Sequence, residues 1–117
     1  MPFEFFIEWL YPLPLRHKKM FGIDAFYIDE RIVFALCQNK KYQEDYGIWI
    51  ATKKEHHQKL KQQLKSVRPI ISIGIKTWLV LPEDHDAFEE DVNTLVSLLK
   101  SGSPLVGNIP KPKKRKP

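Results

Sequence analysis

Residues 22–28 (GIDAFYI) and 31–37 (RIVFALC) are rich in β-branched and aromatic side chains, and only Asp29-Glu30 separates them. Two apolar runs with so short a connection predict a tight antiparallel β-hairpin. This pair constrains the fold more than any other feature of the chain. Alternation along the first run sets Ala25 and Tyr27 on one face and Phe26 and Ile28 on the other.

The remaining elements are read outward from that hairpin. Phe3, Phe6, Ile7 and Leu10 recur at helical spacing, with Glu4 and Glu8 on another face and Phe5 and Trp9 flanking the stripe. Pro12 and Pro14 end this helix and force an extended passage, after which Arg16-His17-Lys18-Lys19 is expected to cross the surface. Residues 38–46 read as a polar loop and 47–51 (GIWIA) as a third strand. Thr52 and Glu55 have capping-box spacing and predict a helix to about Lys65, with His57, Leu60 and Leu64 inward and Arg68-Pro69 as its stop. Ile70–Ile73 and Thr77–Leu81 predict a second hairpin through Gly74. Asp86 and Glu89 form another capping-box pattern, before a helix lined by Phe88, Val92, Leu95 and Leu99 and ended by Gly102 and Pro104.

The predicted order is α-β-β-β-α-β-β-α. It describes a two-layer α+β domain, a mainly antiparallel five-stranded sheet covered by helices, over residues 1–110. The 117 residues, 43% of them apolar, support one core. The net charge of +5 is not spread over that body. Residues 1–110 hold 14 Lys/Arg and 14 Asp/Glu, so the excess is Lys111, Lys113, Lys114, Arg115 and Lys116. Residues 111–117 therefore read as a basic, disordered tail on a neutral domain. Cys37 is the one cysteine, which excludes an intramolecular disulfide and a Cys-based zinc site and fits a reducing cytoplasm. No apolar stretch has bilayer-spanning length, so no membrane partner is expected.

The segments Lys19-Met20-Phe21-Gly22, Phe26-Tyr27-Ile28-Asp29 and Val33-Phe34-Ala35-Leu36 together carry a recognisable pattern. It resembles the KMFGG-x-G-x-YVDG-x-MFAL opening of the TfoX N-terminal-domain-like family. The likeness continues through residues 46–52, the helix bearing His56-His57, and residues 77–82, covering roughly 16–110. Ile23 and Glu30 depart from it, each standing where the family has glycine. The resemblance implies a secretion-chaperone-like α+β fold, found in a bacterial competence regulator and in many small bacterial proteins. It carries no catalytic residue over to this chain.

Chemistry-bearing residues are few. His56 and His57 point about 100° apart on a helix and cannot readily grip one ion from one face, even with Glu83, Asp84, His85 and Asp86 as partners. Those acidic residues complement a helix start. Cys37 ends an apolar strand and reads as a small hydrophobe, and no P-loop, GxGxxG or GxSxG signature is present. Trp49, Trp78, Phe26 and Tyr27 are candidates for a ligand platform on the sheet. The first helix, with Phe3, Phe5, Phe6, Trp9 and Leu10, is the candidate protein interface, including a two-fold homodimer. The expectation is a non-enzymatic protein-interaction module with no cofactor and no metal. The alternative is a nucleic-acid-associated regulator whose cationic tail contacts phosphates weakly and without sequence preference.

Overall fold

The structure, a computed structural model, describes residues 1–109. Six antiparallel strands form one sheet: β1 (Leu15–Met20), β2 (Ile23–Ile28), β3 (Arg31–Cys37), β4 (Gly47–Ile50), β5 (Arg68–Pro69) and β6 (Leu79–Pro82). They lie in the order β1-β2-β3-β4-β6-β5. Three helices accompany them: α1 (Glu4–Trp9), α2 (His57–Gln63) and α3 (Phe88–Lys100). The fold class is the expected α+β, with one strand more than expected.

That extra strand is the basic run itself. Met20 pairs with Ile23, so Phe21-Gly22 alone turns the chain, both at positive φ (54° and 82°). Two left-handed residues in a two-residue loop match the right-handed twist of a hairpin. As the sheet edge, β1 presents Arg16, His17, Lys18 and Lys19 to solvent, and such charges discourage pairing with a further strand.

The hairpin of β2 and β3 forms around Asp29-Glu30 as expected, with one irregularity. Phe26 pairs with Phe34 but Tyr27 pairs with Ile32, so Val33 is an extra residue on β3. The bulge lets Val33 and Phe34 both join the helix-covered core while Ile32 turns to the opposite face. Val33 keeps its carbonyl satisfied by accepting from Ala51 N at 3.1 Å.

All three helices cover one face. Phe6 of α1 and Leu10 just after it, Leu60 of α2, and Phe88, Val92, Leu95 and Leu99 of α3 pack on Phe26, Phe34, Leu36, Ile48, Ile50, Leu79 and Leu81. An aromatic column runs through this layer: Phe6 meets Phe34 at 4.8 Å, Phe34 meets Phe26 at 5.0 Å, and His17 stacks on Phe26 at 5.0 Å. Burying one such ring completely is worth on the order of 2–3 kcal/mol.

The other face is closed differently. Trp49 lies fully buried there, its Nε1 donating to the Asp45 carbonyl at 2.9 Å and its ring meeting Tyr42 edge-on at 5.5 Å. Tyr42 and Asp45 belong to a 3₁₀ segment, Lys40–Asp45, where the sequence predicted only loop. Asp45 is fully buried and accepts from Arg68 Nη1 (2.8 Å), Ile71 N (3.0 Å), Ser72 N (2.6 Å) and the Ser72 hydroxyl. These bonds correct the expected second hairpin. Amides of 71 and 72 go to a carboxylate rather than a ladder, so no strand forms at Ile70–Ile73. The strand paired with β6 is instead the short β5 at Arg68–Pro69, where a helix stop was expected, and residues 70–78 fold over Trp49's face.

Both predicted capping boxes are absent. Thr52 is buried and its Oγ1 donates to the Leu105 carbonyl at 2.7 Å, so the helix begins later, at His57. At α3 no side chain caps the N-terminus; instead His85 Nδ1 accepts from Ala87 N at 3.0 Å. The end of α3 is as expected, with Gly102 at φ 69° and its amide donating to the Leu99 carbonyl.

Burial pushes the Asp45 carboxyl up, but the hydrogen bonds from Ser72, Arg68 and Ile71 outweigh it and hold it below the ordinary 3.8. A depressed folded-state value means stability that is full above the unfolded value and lost as pH falls through the folded one. Urea denaturation across a pH series should therefore show stability dropping below about pH 4. Asp45→Asn should lose about 3 kcal/mol at pH 7 and show a shallower acid slope.

Candidate functional site

Strand alternation divides the four platform aromatics. Phe26 belongs to the helix-covered core, and Trp49 is sealed beneath Tyr42. Tyr27 and Trp78 remain together on the second face, at the margin the 3₁₀ segment does not reach. There they line a cavity of about 390 Å³ with the apolar Met20, Ile32 and Ile109 and the polar Thr52, Lys53, Thr77 and Asn108. Its size lies within the range of small-molecule sites.

Each wall residue is placed by an interaction that can be named. Arg16, paired with Tyr27 across β1 and β2, sets its guanidinium 4.6 Å from the Tyr27 ring centroid, a cation–π contact that fixes the ring. His57 donates a ring N–H to the Thr77 carbonyl at 2.7 Å, tying the segment that carries Trp78 to α2. Ile32 faces the cavity because of the bulge at Val33.

The last wall comes from the chain after α3. Asn108 exchanges two backbone hydrogen bonds with Ile32, at 2.8 and 2.9 Å, and its side-chain Nδ2 donates to the Thr52 carbonyl at 2.7 Å. The Thr52 contact fixes the orientation of the amide, because a flip would set two carbonyl oxygens against each other. Asn108 Oδ1 is buried and, among the described residues, is the one buried side-chain nitrogen or oxygen with no hydrogen-bond partner. Such an acceptor costs about 1–3 kcal/mol while it stays unpaired. Asn108 was not singled out from the sequence. Residues 105–109 (LVGNI) have no periodicity that marks a site.

A second cleft of about 310 Å³ lies between the β2–β3 turn and the end of α3. Arg31 lines it, and its Nη2 already donates to the Val106 carbonyl at 2.5 Å. Gly107 makes room for that guanidinium, since a β-carbon there would stand 2.6 Å from Arg31 Nη2.

The expected interface on α1 divides as well. Phe6 and Leu10 are fully buried in the chain's own core and cannot meet a partner without unfolding the helix. Phe3 and Phe5 are partly buried, while Trp9 is 42% and the following Tyr11 80% exposed, with Phe5 edge-on to Trp9 at 5.1 Å. The cationic residues Lys111, Lys113, Lys114, Arg115 and Lys116 lie outside the described residues. Among the described residues no helix is long and apolar enough to cross a membrane.

The titratable groups are dispersed into separate contacts. His17 Nε2 and Lys19 Nζ both meet Asp24 Oδ1, at 2.7 and 3.1 Å. Burial raises the Asp24 carboxyl, but these two partners outweigh it and lower it overall. Glu83 accepts from Gln38 Nε2 at 3.3 Å. Among the described residues no group of three or more His, Cys, Asp or Glu side chains is arranged to hold a metal ion. Cys37 is fully buried in the second-face core, and burial pushes its thiol up, away from thiolate. A thiol reagent at pH 7.5 should therefore label the native protein far more slowly than the urea-unfolded chain. Labelling at the rate of a free thiol would contradict this burial.

In comparisons with known proteins, no protein-family model, no curated protein and no solved structure matches the chain.

Proposed function

We propose that this protein is a non-catalytic binding module whose ligand sits in the cavity between Tyr27 and Trp78. The cavity carries the reading: it combines apolar side chains and two aromatic rings in one place. The resemblance of residues 16–110 to the TfoX N-terminal-domain-like family supports the same class, because that family brings no catalytic residue to this chain. A cytoplasmic setting fits a chain whose single cysteine is a packed thiol.

Titration of the ¹⁵N-labelled protein with indole should move the amide signals of Met20, Tyr27, Ile32, Thr77 and Trp78 and leave those of α1 in place. Tyr27→Ala should weaken binding about tenfold, the scale of losing one aromatic contact. A titration that moves none of these signals would overturn the reading.

A second reading is favoured by the exposed pair Trp9 and Tyr11. Large aromatics at a surface are characteristic of protein contacts, and the occupant proposed for this patch is a second copy of the chain. Light scattering at micromolar concentration should then give twice the monomer mass, reverting to monomer in Trp9→Ala/Tyr11→Ala. A monomer mass for the native protein removes this reading. The tail-based nucleic-acid alternative gains no support from residues 1–109.

A further inference from the structure

We infer that the cavity takes an aromatic carboxylic acid, its ring between Tyr27 and Trp78 and its carboxylate held by Lys53 where the cavity meets a second, cationic cleft. This rests on the binding-module reading above and adds the chemical class of the ligand. The second cleft, of about 430 Å³, shares Lys53, Asn108 and Ile109 with the first, so the two adjoin along those residues. Arg31 and His56 line its other walls. Among the described residues, no Asp or Glu lines either cleft.

The charges at this junction are not spent on neighbours. The four ion pairs of the described residues engage His17, Lys19, Lys65 and Arg68, and none engages Lys53 or Arg31. Arg31 gives a guanidinium N–H to the Val106 carbonyl, a neutral acceptor that leaves its charge in place. The other side-chain hydrogen bonds around the cavity run from Thr52 Oγ1, Asn108 Nδ2 and His57. They leave the Lys53 ammonium and the Thr77 hydroxyl uncommitted among the described residues. Both residues are exposed, so a ligand reaches them from solvent.

The backbone beneath Lys53 is fixed on both sides. Gly107 N donates to the Ala51 carbonyl at 2.6 Å, Asn108 Nδ2 to the Thr52 carbonyl at 2.7 Å, and His56 N to the Lys53 carbonyl at 2.9 Å. The lysine is therefore anchored at the junction, and its flexible stem lets the ammonium follow a ligand while staying in contact with water. Met20, Ile32 and Ile109 reward removal of ring carbons from water, and the two aromatic rings favour a flat partner. A neutral ring gains from these contacts alone. A carboxylate on the same ring adds a charge-assisted hydrogen bond from Lys53, and a cationic group there meets like charge from Lys53 and Arg31.

The test compares indole-3-acetate with indole-3-acetamide on the full chain at low ionic strength, by calorimetry and by NMR. The two probes are close in shape and differ by one negative charge. The acetate should bind about tenfold more tightly, moving the amide signals of Lys53 and His56 together with those of Tyr27 and Trp78. Added salt should shrink that preference, because the junction is open to solvent. Lys53→Met, which keeps most of the stem, should remove most of the preference while binding of the acetamide persists. The cationic residues at 111–116 are unchanged in this variant, so a preference that survives it overturns the assignment to Lys53. The comparison of probes on the native chain stands even if the variant fails to fold. Equal affinity for the two overturns the selection of an acid and leaves the cavity as a binding site. If neither probe moves a cavity signal, the binding-module reading fails with it.

Discussion

A carboxylate removed from water has to collect donors from the chain around it, and Asp45 collects them from Arg68, Ile71 and Ser72. Those residues lie more than twenty positions away in sequence, so the requirement folds residues 70–78 back across the sheet. The second face of β3 and β4 is closed as a result. The Asp45 backbone completes the arrangement by receiving Trp49 Nε1, which locks the largest buried side chain beneath Tyr42. Without that cover, Trp49, Val80 and Ala35 would lie open on a sheet face that no helix reaches.

The cover is incomplete, and the candidate site is what it leaves. The 3₁₀ segment protects Trp49 but stops short of the margin where Tyr27, Ile32 and Trp78 meet. Residues 105–109 come from the other side and are joined to Ile32 and Thr52 without filling the gap. Arg16 and His57, both polar, hold the two aromatic walls from outside. The cavity is thus lined from β1, β2, β3, the segments on either side of α2 and the chain after α3, none of which forms it alone.

How much of this was legible depends on the range of the interaction. Alternation in GIDAFYI correctly separated Tyr27 from Phe26, because a strand's side chains must take opposite faces. Helical spacing correctly found the buried stripe of α3. The basic run at Arg16–Lys19 does lie at the surface, but its charges hide the pattern of the strand it forms, which the two-residue turn Phe21-Gly22 completes. Thr52 was mistaken for a cap because its hydroxyl meets a carbonyl 53 positions away, and no local rule anticipates that. Asn108 carried no signal, since its hydrogen bonds go to Ile32 and Thr52, both far away in sequence.

The amino-acid sequence by itself determined the central hairpin, the helix-covered core and the neutral body with its basic end. Each of these follows from local spacing: period two, period 3.6, and the position of charges. Only the tertiary structure decided that Asp45 closes the second face, that Val33 bulges, and that Asn108 reaches Thr52 from 56 positions away. These features are hydrogen bonds and register shifts between distant segments, and they exist only once the sheet has brought their partners together.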